Sequence, residues 1–236
     1  MTFPKSLTTG PWRPLRAPFL RNLLIADFVS DIGTFLQSVA ASWLMVSSGA
    51  GPAYVALTQA ASSLPFFLFA LPAGALGDIC NRRTLVLFTE FWMFGVASLL
   101  AVMTLAGLMS PWLLLLLTFA LSAGDAIEAP TWRAIVPSVV DRKDLPQATA
   151  LNGIEFNLAR AVGPALGGVL VVLIGVGGVF ALNAMSFLVP IAVILRWKQA
   201  STRLALPAEH IGGASMAALR YARYSPPVGT LLLRTG

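Results

Sequence analysis

Charge is what this sequence has least of. Only 11% of its 236 residues are Asp, Glu, Lys or Arg, against 57% hydrophobic, whereas a soluble domain carries roughly 25% charged residues. So few charges cannot coat a water-facing surface, and lipid is the expected solvent for much of the chain. A single cysteine, Cys80, excludes an internal disulfide and a thiolate metal cluster. The single histidine, His210, lies far from any apolar run. A histidine metal site, a catalytic triad and an intramembrane histidine shuttle are thereby excluded. No nucleophile–base pair and no cofactor motif is present, so an enzyme is not expected.

What the chain does have is apolar runs, each near the roughly 20 residues that cross a bilayer as helix. They cover Phe19 to Val46, Tyr54 to Gly77, Thr84 to Leu108, Trp112 to Val139, Gln147 to Ile174 and Val179 to Trp197. The expected fold is an all-α membrane protein with six transmembrane helices. Residues 1–18 read as a cytoplasmic N-terminus, 19–197 as the helical bundle and 198–225 as a cytoplasmic linker with a short helix near Ser215 to Tyr224. Residues 226–236 read as the truncated start of a seventh span.

The net charge of +6 is a topology signal, because cytoplasmic loops carry the excess of Lys and Arg. Lys5, Arg13, Arg16 and Arg21 precede the first run. Arg82 and Arg83 follow the second, Arg142 and Lys143 the fourth, and Arg196, Lys198 and Arg203 the sixth. The alternate connections, 47–53, 109–111 and 175–178, carry no charge of either sign. This segregation places both ends in the cytoplasm of a multi-pass protein of the cytoplasmic (inner) membrane. It argues against nucleic acid as a partner. The basic N-terminus lacks a short apolar core with a cleavage site, so the first run reads as a retained helix.

Ionisable residues inside a span cost about 2.5–3.5 kcal/mol each on insertion scales and normally mark a pathway. Asp27, Asp31, Thr34, Ser38 and Ser42 recur at helical spacing on one face of the first run. Lipid cannot solvate that stripe, so it should line a cavity. Asp27 and Asp31 stand one turn apart, and like charges so close oppose joint ionisation, making one of them a candidate proton carrier. Ser122, Asp125, Glu128 and Trp132 share a face of the fourth run. Arg160, mid-way along the fifth, is expected to form a structural or gating ion pair with Asp31, Asp125 or Glu128. Glu155 falls on another face than Arg160. Glu90 is expected to snorkel or to join a cytoplasmic network.

Four motifs add a family likeness. Gly74-Ala75-Leu76-Gly77-Asp78-Ile79-Cys80-Asn81-Arg82-Arg83 joins the second and third runs. Ala129 to Pro137 and Asp144 to Asn152 flank the next cytoplasmic connection, and Asn157 to Gly168 ends in Gly163-Pro164-Ala165-Leu166-Gly167-Gly168. In order and topology these resemble the major facilitator superfamily, in its enterobactin-exporter-like, transmembrane secretion effector branch. Ile79 stands where a basic residue is usual, and Asn81 where glycine is usual. The resemblance implies a 3+3 inverted repeat, the N-terminal bundle of the family fold, with spans one, two, four and five lining the pathway. It also implies a gating loop at Gly74, Asp78, Arg82 and Arg83. Gly163, Pro164, Gly167 and Gly168 would be the helix-five packing motif.

The function so implied is proton-coupled export of small molecules such as siderophores or drugs. The partners would be membrane lipid, a small-molecule substrate, protons, and a second six-helix half or a homodimer. Alone, the half is expected to be inactive. The membrane half of an ATP-driven transporter also has six spans, but this chain has no glycine-rich phosphate loop. A non-transporting membrane interaction protein is the other alternative.

Overall fold

A computed structural model describes residues 12–197, apart from the side chains of Ala70, Leu71 and Asp78. The expected linker, the short helix within it, the seventh span and most of the basic N-terminus lie outside the described residues. Six helices follow in order: α1 (Pro18–Ser47), α2 (Pro52–Ile79), α3 (Arg82–Leu105), α4 (Pro111–Val139), α5 (Leu145–Ser186) and α6 (Leu188–Arg196). Short 3-10 turns at Arg13–Arg16 and Arg142–Asp144 precede α1 and α5. The described residues contain no strand. Four stretches are long and apolar enough to cross a membrane: α1, α3, α4 and the continuous Arg142–Arg196 segment.

Local chemistry sets the helix ends. Proline occupies the first turn of α1, α2, α4 and α5, where its missing N–H costs nothing and its fixed φ suits the helix. The Asn81 side chain accepts from the backbone N–H groups of Arg83 and Thr84, capping α3. That is a physical use for asparagine where the family signature has glycine. Between α2 and α3 only Cys80 and Asn81 are non-helical, so Gly74, Gly77 and Asp78 belong to the last turns of α2 rather than to a loop.

The turn expected at 175–178 is shorter than its glycine content suggests. Only Gly175 leaves helical geometry, with φ 73° and ψ 168°, a region that residues with a Cβ rarely adopt. Val176, Gly177 and Gly178 are already helical. Gly175 therefore divides α5 into two arms, 145–174 and 176–186.

Helix α1 packs chiefly on α5, α2 on α4, and α3 against both α4 and α5. Lipid supplies no hydrophobic drive between helices, so close approach of small residues has to do it. A Cβ added at Gly163 would stand 2.5 Å from Phe35 Cβ, and one at Gly167 3.1 Å from Val39 Cβ. These two glycines seat the first arm of α5 on α1. Gly168 and Gly74 meet nothing within 4 Å, so neither takes the close-packing role expected of it. Polar side chains lock the same seams. The buried Asn183 amide donates to the Gln37 carbonyl oxygen across α5 and α1, and Trp92 Nε1 donates to the Ala120 carbonyl at 2.8 Å across α3 and α4. Leu105, Val172 and Leu173 are exposed on the outside, as lipid-facing positions should be.

Gly163→Leu should lower the detergent melting temperature through overpacking worth about 1–3 kcal/mol, whereas Gly168→Leu should leave it near the parent value. Equal shifts in the two variants would contradict this seating of α5 on α1.

Candidate functional site

The first-span polar stripe faces inward, as its spacing requires. Asp27, Ser30, Asp31 and Thr34 of α1 line a cavity of about 320 Å³ together with Glu90 of α3, Ser122, Asp125, Glu128, Trp132 and Arg133 of α4, and Asn152 and Phe156 of α5. Thr34, Ser122 and Asp125 also belong to an adjoining groove of about 560 Å³, which Ser38 and Ser42 of α1 and Ser62 and Phe66 of α2 extend. The two form one polar-walled hollow. Helices α1, α2, α4 and α5 line it, but α3 adds Glu90 and Met93 and α6 adds Pro190, so the third and sixth spans are not excluded from the wall.

Some hydroxyls along this wall have partners for their protons. Ser38 donates to the Phe35 carbonyl at 2.8 Å, Ser42 to the Ser38 carbonyl at 2.9 Å and Ser62 to the Thr58 carbonyl at 3.1 Å. Such back-bonding satisfies these donors within their own helices, whereas the buried Thr118 hydroxyl of the same wall has no partner.

The carboxylates differ in setting. Asp31 and Asp27 are half-buried and Asp125 is exposed on the open wall. Glu90 and Glu128 are only 2% and 6% exposed, side by side between α3 and α4. The Thr89 hydroxyl lies against Glu128. Glu155 is buried with its carboxyl group within hydrogen-bond reach of Asp27. Glu90 thus neither snorkels nor joins a surface network. Glu90 lies on the face of α3 that packs against α4, and the side chain is enclosed there.

The cation of the site is Arg133. It lines the cavity and attracts both Asp27 and Asp125. Its place was readable from spacing, since residues 125, 129 and 133 follow one helical face. Arg160 does not make the expected ion pair. It is exposed, and the ion pairs among the described residues are Arg13–Asp144 at 3.6 Å and Lys143–Asp141 at 3.5 Å. The buried face of α5 runs through Glu155, Ala159, Gly163 and Gly167, which leaves Arg160 turned away from it.

At the basic end, the paired arginines after α2 hold helix termini. Arg82 Nη1 donates to the Ala134 carbonyl at 3.1 Å. Arg83 Nε donates to Ile194 at 3.1 Å and its Nη2 to Leu195 at 2.7 Å. Cations at helix C-terminal carbonyls complement the helix dipole. The expected partner Asp78 has its side chain outside the described residues.

Comparison with known proteins supplies the context. A family model described as "Transmembrane secretion effector" matches residues 9–236. The staphyloferrin A transporter of Staphylococcus aureus is 23% identical over 172 residues, covering 72% of this chain and 43% of that protein. The multidrug efflux pump Tap of Mycolicibacterium fortuitum is 25% identical over 229 residues, 92% of this chain and 55% of its own length. The MFS-type transporter YfiS of Bacillus subtilis is 26% identical over 177 residues, 75% and 41% respectively. The chain spans about half the length of the curated relatives it matches.

In a Cys80→Ser background reconstituted into liposomes, Ser122→Cys should react with a membrane-impermeant maleimide, while Val172→Cys, 79% exposed on the outer face, should stay unlabelled in lipid. Equal labelling would mean that the hollow is not a distinct aqueous compartment.

Proposed function

Because the chain belongs to the transmembrane secretion effector family of major facilitator transporters, we propose that it forms the N-terminal six-helix half of a proton-coupled exporter of small molecules. The observation that carries this reading is the hollow walled by five carboxylates, Asp27, Asp31, Glu90, Asp125 and Glu128, inside a chain whose helices are otherwise apolar. Intramembrane carboxylates of this kind bind and release protons or meet a cationic ligand. The six spans are α1 to α4, the first arm of α5, and the second arm joined to α6. The break at Gly175 supports that division, and six spans are the number that a 3+3 inverted repeat requires.

The hollow is open on one side, and a second six-helix body closes it. That body is a C-terminal half or a second copy, and Arg160 lies at the seam. Asp31 and Asp125 face the open volume and take the substrate. A predominantly negative wall with the aromatic Phe66 and Phe156 suits an amphiphilic cation better than a polyanion. Orientation follows from the basic end, where Arg13, Arg82, Arg83 and Arg142 gather. By the positive-inside rule that end is cytoplasmic, in the inner membrane. Rocking of the two bodies breaks and remakes the contacts of Arg82 and Arg83, which gives the Gly74–Arg83 segment its gating role.

Inside-out vesicles carrying the chain and its completing half should accumulate ethidium when respiration is energised, without ATP. A protonophore should collapse the accumulation, and Asp31→Asn should abolish it. Uptake that needs ATP and survives the protonophore would overturn the proposal.

A further inference from the structure

We propose that Glu90 and Glu128 form a single proton-binding site, holding one proton between two carboxyl groups, and that this pair carries the coupling proton while Asp31 and Asp125 meet the substrate. The role assigned to the pair rests on the proton-coupled reading above; the chemistry of the pair does not.

The argument begins with what the two groups can offer each other. An ionised carboxylate only accepts hydrogen bonds. The Glu90 and Glu128 carboxyl groups nevertheless stand within hydrogen-bond reach of each other, enclosed between α3 and α4. Two acceptors in contact repel until one oxygen carries a proton, and then the contact becomes a hydrogen bond. Like charges sharing one buried place cannot both be ionised.

Thr89 fixes Glu128 in this seam. Its hydroxyl donates to Glu128 Oε2 across α3 and α4, with the Leu85 carbonyl at 3.1 Å and the Val86 carbonyl at 3.0 Å also in range. Thr89 thus positions the Glu128 carboxyl group, and the shared proton belongs to the contact with Glu90, because one carboxyl O–H cannot serve both neighbours.

The surroundings give the pair no competing cation. From α1 the charge acting on it is Asp27, and from α4 Asp125, both acidic. Glu155 of α5 lies beyond Asp27, Asp31 stands farther along α1, and the α5–α6 junction contributes only Phe187 and Pro190 to the wall. Arg133 acts on Asp27 and Asp125. The site still opens on the hollow, since Glu90 and Glu128 both line it together with Asp27, Asp125 and Trp132, and Trp132 stands within hydrogen-bond reach of Asp27.

The test is pH-difference infrared spectroscopy of the chain reconstituted into liposomes. At neutral pH the parent should show a protonated-carboxyl band that disappears both in Glu90→Gln and in Glu128→Gln, and that remains in Asp141→Asn. Thr89→Val should keep the band, because it removes a donor to Glu128 without touching either acid. A band untouched by both Gln variants, or two separate bands each lost in one of them, would overturn the shared proton. In the ethidium assay Glu90→Gln should allow downhill equilibration but not uphill accumulation. Uphill accumulation at the parent rate would overturn the coupling role while leaving the transport reading intact.

Discussion

The constraint on which this structure depends is the cost of keeping carboxylates inside a lipid-enclosed bundle. Asp27, Asp31, Glu90, Asp125, Glu128 and Glu155 all sit on helices that are otherwise apolar, and each costs about 2.5–3.5 kcal/mol on insertion scales. Such residues persist only where protein or water receives them. The bundle receives them in two ways. Asp31 and Asp125 look onto an open polar hollow, while Glu90 and Glu128 face each other at its buried edge between α3 and α4. The division between an open wall and a buried pair is the feature from which both the transport reading and the proton site follow.

The rest of the fold holds that hollow in shape. Gly163 and Gly167 let α5 lie close on α1, and Gln37 with Asn183 fixes the later part of α5 on the same helix. Trp92 and Thr89 tie α3 to α4. These contacts are side-chain hydrogen bonds and steric fits, the interactions that remain available when the surrounding solvent is as apolar as the core. At the basic end, Arg82 and Arg83 bond to carbonyls of other helices.

Much of this was legible in one dimension. Proline and serine before α4, proline before α2, and the alternation of basic and uncharged connections marked helix ends, because capping and insertion are local effects. The stripe from Asp27 to Ser42 and the face of Ser122, Asp125, Glu128 and Trp132 were readable from helical spacing alone. What spacing could not give was which faces meet. Arg160 looked like the natural partner for a buried acid, yet α5 turns it outward and Arg133 takes that place. Glu90 looked close enough to the membrane surface to snorkel, but the approach of α3 to α4 closes over it. Asn183 and Gln37 are far apart in sequence, and only the docking of α5 on α1 pairs them. The glycines near 175 suggested a loop of four residues, whereas a single positive φ at Gly175 makes the turn.

The central claim is that acids in the middle of this bundle are sheltered, and in part protonated, rather than solvated. Carbodiimide footprinting of the chain in native membranes measures this most directly, because an apolar carbodiimide modifies protonated carboxyl groups in low-dielectric surroundings. At neutral pH the account predicts modification on Glu90 or Glu128, with the exposed Asp141 unmodified. Modification confined to Asp141 and Asp144, with every acid of α1, α3 and α4 untouched, would contradict it.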